Sequence, residues 1–524
     1  LGEKALLGMT KAKTSSFITE VPLVVDSFLE RKLEARFQAA RQLYNACLNE
    51  ALRRLERVRK STPYLRAREL SKTKKKERRE LFKQARDGAQ FSEYSLHRFA
   101  TVTAKQSKWI AKNVDSNTQQ RLATRAFQAA HKILLGLSSK VRFKVPSRFR
   151  SVEGKSNKQG LCWKEEQVQW CGLTLEPIID WSNRVVTHGL RSKIKYCRLL
   201  WRNLNGKKRW FVQLVNEGLP YQKPQNYVTK GVVGLDVNIS NVAFVADEQA
   251  GLLPFADKVP TYEREIKVLQ RKMQRSMRSN NPDNFEPDFD KKVGNRVVTK
   301  KGKVLKGRRP WKRTKNYRTL ALHKAELERR KANYAKCQNR RLVNEILRHG
   351  NEIKTEKVSI KGWQKRYGKA IAAKSPGFFQ SEIKRKAENA GGCFLQFSTQ
   401  TTALSQTHLD GTRIKKSLSE RVHRDVTGVT MHRDLFSAFL SRYVYGDQLS
   451  LQDALREYPR AEPLLVDAWK RSLVGEVSPT ELRQYQQTAR QVGASERKNY
   501  HSSSEQLSTQ VLTSNQITTK AVKS

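Results

Sequence analysis

The sequence predicts an α+β multidomain protein, with a first half that is helical and then β-rich, followed by an α/β domain. Three observations predict it. Apolar residues at helical spacing fill 29–60 and 92–135. From about residue 140, short runs rich in β-branched and aromatic residues take over. From 231 onward, strand-like and helix-like runs alternate, which is the pattern of an α/β layer. A chain of 524 residues is long enough for two to four domains, each with its own core.

Residues 17–27 (FITEVPLVVDS) alternate as a strand does. Helical patterns follow, with Leu33, Phe37, Leu43, Leu48 and Leu52 set among Arg and Glu over 29–60. The segment 65–86 is dense in Lys and Arg and reads as a backbone-contacting helix or loop. VRFKVP, QVQWCGLTL, RLLWRNL and KKRWFVQLV are short and separated by turn signals, and they predict a small antiparallel sheet or barrel closing the N-terminal half. Interleaved residues such as Arg142, Phe143, Lys144, Trp201, Arg202 and Trp210 suit base stacking and phosphate contacts, and suit a β core equally well.

Residues 231–247 (GVVGLDVNISNVAFVAD) form two apolar runs around a tight turn at Asn238–Asn241, a β-hairpin pattern. Ile266, Leu269, Met273 and Met277 share one helical face, as do Leu320, Leu327 and Tyr334, so two packed helices are expected. Between them, 291–315 is strongly basic with almost no acid and no core pattern, and is read as a phosphate-tracking element. A strand at 352–360, a helix opened by Ser375 as N-cap with Pro376 at its first position, a strand at 393–398 and a helix from His432 complete the alternation. One more amphipathic helix (LQDALREY) follows 445, and the Ser/Gln/Thr-rich end from about 490 is expected to be disordered.

Lys and Arg total 103 against 49 Asp and Glu, a formal net charge of +54. A compact body with that excess repels itself unless a polyanion neutralises it, so a nucleic-acid partner is expected. No apolar run approaches the ~20 residues of a membrane-spanning helix. Residues 1–13 are basic but carry no secretory pattern, so a reduced cytoplasmic compartment is expected, nucleoid-associated in a prokaryote. Six scattered cysteines without a Cys-x-x-Cys pair argue against a disulfide framework and a Cys-rich zinc site.

Three acids occupy suggestive places. Asp236 lies inside an apolar strand, where an ionised carboxylate is costly unless paired or metal-bound. Glu356 interrupts the strand at 352–360. Asp434 opens a helix whose small residues Ser437, Ala438 and Ser441 would let it press close to a sheet. Three carboxylates from two strands and a helix can hold two Mg²⁺ ions ~4 Å apart for phosphodiester hydrolysis. The same residues also suit a helix cap and an edge-strand surface position.

VVGLDVNISNVAFVAD (232–247) resembles the first RuvC motif of the TnpB family, insertion-sequence proteins related to type V CRISPR effectors. IKTEKVSIKGW (353–363) resembles the second, with Glu356 at the glutamate position, and SPGFFQSEIKRKAENAGG (375–392) the helix after it. LSERVHRDVTG and HRDLFSAFL (418–428 and 432–440) resemble the third region, with Asp434 at the aspartate position, and FRSVEGKS (149–156) is also similar to the family. The likeness spans most of residues 15–445. It implies an RNA-guided DNA endonuclease with a helical recognition lobe, a β-barrel wedge and an α/β ribonuclease-H-like RuvC domain carrying a helical insertion. The implied domains are 1–230 for the wedge barrel with its recognition insertion, which would bind guide and target. Residues 231–445 would be the nuclease, with a basic helical insertion at about 257–349 and a degenerate zinc-ribbon region at about 401–430. Residues 446–524 would be a helix and tail.

The resemblance further implies Asp236, Glu356 and Asp434 as both catalytic residues and Mg²⁺ ligands, two ions in all. Its implied partners are guide RNA and double-stranded DNA, with no membrane and no small-molecule substrate. One departure stands out. Where the family carries paired cysteines, this sequence has His408, Asp410 and Asp425, and His423 lacks clean ligand spacing, so zinc is not expected. That departure keeps a cleavage-deficient, repressor-like RNA-guided DNA binder as the alternative. A purely structural RNA-binding protein is a third reading. No Tyr or Ser nucleophile constellation supports a transposase.

Overall fold

The computed structural model describes residues 14–474 except 227, 229, 295, 308 and 418. The expectations for the N-terminal leader and the Ser/Gln/Thr-rich tail lie outside the described residues. The chain forms two compact units that divide between Tyr221 and Gln222. It is a mixed α/β multidomain protein.

In the first unit the strand Ser16–Pro22 leads into the 34-residue helix Ser27–Lys60, whose N-cap Asp26 accepts a hydrogen bond from the Leu29 amide. The basic segment is helical, as Thr62–Glu69 and Lys75–Gly88. Residues 92–135 break into Glu93–Gln106, Lys108–Asn113 and Ser116–Leu134. The β elements form a four-stranded antiparallel sheet, in which Ser16–Pro22 pairs Lys207–Glu217, then Ile194–Leu204, then Ser151–Glu153. A separate three-stranded meander spans 162–175.

The barrel expected here is not closed: the edge strands Ser16–Pro22 and Ser151–Glu153 do not pair with each other. The long helix covers the sheet instead. Phe37 on that helix packs edge-on to Trp210 (5.1 Å between centroids), Trp170 (6.0 Å) and Phe149 (6.1 Å), so apolar burial against a helix does what closure would have done.

The second unit is built on a five-stranded sheet. Val232–Val237, Asn241–Val245 and Ala250–Pro254 form an antiparallel meander, and Glu352–Glu356 and Cys393–Phe397 add in parallel on the far side of the first strand. The third strand of the meander went unread in the sequence. Both faces are covered, as a sheet with parallel strands requires. Helices Lys315–Leu347 and Pro376–Asn389 bury Val343, Ile346, Phe379 and Ile383 with Val233, Leu235 and Ile353 on one face. Helices Arg433–Ser441 and Leu451–Val474 bury Leu435, Phe436, Phe439, Tyr458 and Leu465 with Ala243 and Val245 on the other.

Between Pro254 and Glu352, the helix Glu263–Ser279 packs on Lys315–Leu347. The start of 291–315 lies in an exposed hairpin in which Phe289–Val293 pairs with Arg296–Lys300. Two local expectations are corrected. Ser375 takes a left-handed backbone conformation between two helices, and its side chain does not cap the second one. The strand at 352–360 stops at Glu356, because Ser359 caps a further helix, Ile360–Lys374, through the Gly362 amide.

Candidate active site

Strand periodicity sets the site. Side chains alternate between sheet faces, so Gly234 and Asp236 share the face opposite Val233, Leu235 and Val237. That face meets the helix Arg433–Ser441 at contact distance. A Cβ built on Gly234 would lie 2.0 Å from the Ala438 carbonyl oxygen and 2.4 Å from Ser441 Oγ. The small residues of that helix therefore meet a glycine, and the close approach brings Asp434 toward Asp236.

The parallel register pairs Lys354 with Gly234 and Thr355 with Leu235, so one residue further Glu356 lies beside Asp236. Lys354 shares the Glu356 face and donates to the Arg442 carbonyl at 2.9 Å, just past the same helix. All three sequence-predicted acids thus lie on one face, two of them at the C-terminal ends of adjacent parallel strands, where α/β sheets place their ligands.

The electrostatics agree. Burial, and then the charges of Asp434 and Glu356, push the Asp236 carboxyl well above its usual range, against the pull of Arg433 and a 3.4 Å hydrogen bond from Asn238. Burial also raises Glu356, although the Leu404 amide donates to it at 3.3 Å. Asp434 is 1% exposed, and neither of its carboxylate oxygens accepts a hydrogen bond. Its nearest cations are Arg433 Nε at 3.5 Å and Arg421 Nη1 at 3.6 Å.

A buried carboxylate with open lone pairs beside two others fits hard divalent cations such as Mg²⁺. The three acids do not all bring ligand atoms within 4.8 Å of one another. Asn238, Arg421 and Arg433 were missed as site residues in the sequence. Each lies within two residues of a residue singled out there, in GLDVN, SERVH and HRD, so position near a motif was the available signal.

A second cluster lies in the same unit. His408, His423 and Asp425 are buried and bring one ligand atom each within 4.8 Å of the others. His423 Nε2 lies 2.9 Å and His408 Nδ1 3.4 Å from Asp425 Oδ2. Spacing alone had left His423 outside this group, and the short pairing of Val422–Arg424 with Thr430–His432 brings it in. Asp410 stays out, turned onto the Thr412 amide at 2.9 Å and hydroxyl at 2.8 Å.

The donors of this cluster are largely engaged. Asp425 accepts from the amides of Leu409 and Thr427 and from the Thr427 hydroxyl as well as facing His423. His423 Nδ1 meets Lys416 Nζ at 2.5 Å. His408 Nδ1 accepts from the Val426 amide at 3.1 Å. Burial, more than any neighbouring charge, depresses the His423 imidazole to about 4, so it is neutral near pH 7. His408 Nε2 is buried without a hydrogen-bond partner, so one ligand atom of the cluster stays open while Asp425 and His423 are bonded within the protein.

No family model and no curated protein matches the chain. Among solved structures, it is similar to a Cas12f1–sgRNA–target DNA complex determined by cryo-EM, with 9% identity over 82% of this chain and 98% of that chain and a TM-score of 0.39. It is also similar to a cryo-EM CRISPR-Cas12f ternary complex, with 10% identity over 79% and 84% and a TM-score of 0.27. Likeness this low supplies no template for the chemistry. The site has to be read from its own residues.

Proposed function

We propose that the chain is an RNA-guided DNA endonuclease that hydrolyses phosphodiester bonds at Asp236, Glu356 and Asp434. The observation that carries the reading is the convergence of these three acids on one sheet face, with Asp434 buried and its oxygens unbonded. The strand order of the sheet, third–second–first–fourth–fifth with the last two parallel to the first, supports a ribonuclease-H-like, RuvC-type domain. The TnpB-like motifs fall on that framework in order. The charge of +54 supports RNA and DNA as partners.

Asp236, Glu356 and Asp434 would hold two Mg²⁺ ions, which when bound supply a metal-activated hydroxide and stabilise the leaving oxygen. The protein's own part is positional. Asn238 orients Asp236. Lys374 donates to the Ile239 carbonyl at 2.9 Å and steadies the turn after the Asp236 strand. Arg421, whose side chain is 30% exposed beside Asp434, is placed to meet a phosphate oxygen. Pairing with the guide would carry sequence specificity, while the basic helices and hairpin grip backbones.

The test is Mg²⁺-dependent cleavage by the chain loaded with the RNA that copurifies with it. Cleavage lost in Asp236→Ala with guide and target binding near normal supports the reading, and equal loss of both refutes it. One observation favours the cleavage-deficient alternative: His408, Asp410 and Asp425 stand where the resemblance to TnpB places cysteines. Within our reading the His408/His423/Asp425 cluster is held by hydrogen bonds without zinc.

A further inference from the structure

In the first unit, a cavity of about 510 Å³ opens between the helix Ser27–Lys60, the helix Lys108–Asn113 and the sheet. Its size is within the ~300–1,000 Å³ of small-ligand sites. Trp109, Phe149, Trp201 and Trp210 line it together with Arg41, Lys208 and Glu34, the last paired with Lys208. Two features set it apart from an ordinary gap in a core. Trp109 is 41% exposed and turns into the cavity lining. Trp210 is 3% exposed, yet its Nε1–H has no hydrogen-bond partner, whereas buried indole N–H groups normally find an acceptor.

The surroundings specify the ligand's charge. Lys208 lies 5.3 Å from the Trp201 ring and 5.9 Å from that of Trp210, and is held by Glu30 at 3.3 Å and by Glu34. Arg150 lies 5.3 Å from Trp201. The segment 140–150, which contributes Pro146, Ser147 and Phe149 to the cavity, carries exposed Lys140, Arg142, Arg148 and Arg150 and no acid. An aromatic slot with one open indole face and a cationic rim matches a flat ring attached to a phosphodiester.

We propose that this cavity receives one unpaired nucleobase of a nucleic-acid strand. The base stacks on Trp109 and leaves its phosphates among the rim arginines. The proposal rests on the nucleic-acid-binding half of the reading above and not on guiding or cleavage. A base on an aromatic platform is worth ~1–3 kcal/mol.

The experiment uses the full chain with two short single strands, an RNA carrying one 4-thiouridine and a DNA carrying one 4-thiothymidine. The strands are photo-cross-linked and the adducts mapped by mass spectrometry. Cross-links at Trp109, Phe149 or Trp201 are expected, and the strand that yields them identifies the source of the base. Trp109→Ala should weaken that strand's binding about tenfold with its salt slope unchanged, since no phosphate contact is removed. Trp109→Tyr should restore most of the affinity.

Strands that bind but cross-link elsewhere overturn the proposal, as does an altered salt slope in Trp109→Ala. Cross-links in the cavity without any discrete copurifying RNA would sink the guided reading and leave the cavity assignment standing. Guided cleavage with no adduct in the cavity would do the reverse.

Discussion

Replacing Asp236 with Asn should raise the stability of the metal-free protein. Adjacent strands lie ~4.8 Å apart, and the register that pairs Thr355 with Leu235 sets Asp236 and Glu356 on neighbouring strands. Two unit charges ~5 Å apart at an effective dielectric of ~20 repel by roughly 3 kcal/mol. Arg433 and Asn238 offset part of that for Asp236, leaving a net gain of about 1–2 kcal/mol. For a unit of this size the melting temperature rises by ~2–4 °C per kcal/mol.

The pH sign follows from the raised carboxyl. The folded state holds a proton that the unfolded state gives up above its ordinary carboxyl range. This contribution is fully present at acid pH and lost as pH rises through the folded value, so Asp236→Asn should gain most near neutral pH. The assay is thermal unfolding with chelator and with Mg²⁺. Mg²⁺ at about a hundredfold over its Kd should stabilise the wild type by ~2.7 kcal/mol and the variant far less. An Asp236→Asn protein that melts lower in chelator, alongside a wild type that ignores Mg²⁺, would refute the carboxylate-cluster account.

Gly234→Ala should destabilise the second unit by about 2–4 kcal/mol in denaturant unfolding, because the new methyl meets the Ala438 carbonyl and Ser441. Asp434→Asn should lower cleavage at least a thousandfold, measured in single turnover, while target binding by gel shift stays within about twofold. Deleting 291–315 should weaken RNA binding and flatten its dependence on salt, read as the slope of log affinity against log salt concentration. Metal analysis of the purified chain should find no stoichiometric zinc, and strong chelators should leave its melting temperature unchanged.

The face that gathers the three acids was legible in the sequence because period-two alternation around Asp236 and the small face of the Asp434 helix are local signals that survive without coordinates. The two packed insertion helices were legible for the same reason. What was lost depended on contacts far apart in the chain. The strand Ala250–Pro254 carries a glycine and ends in a proline, so propensity argues against it, and it exists because Asn241–Val245 offers it a partner. The open sheet of the first unit turns on Phe37 meeting Trp210 and Trp170, residues more than 130 positions apart in sequence. The His408–His423–Asp425 cluster was half seen: Asp410 and Asp425 looked equivalent by spacing, and only the pairing of Val422–Arg424 with Thr430–His432 selects one of them. The unmet Trp210 N–H is a property of packing that no sequence pattern carries.

The most direct measurement of the central claim is to express the chain with its flanking genomic region and sequence the RNA that copurifies. The account predicts a single discrete RNA ending in a variable segment, which directs Mg²⁺-dependent cleavage of matching DNA by the wild type and not by Asp236→Ala. Recovery of only heterogeneous cellular RNA would contradict it and leave a general basic RNA binder in its place.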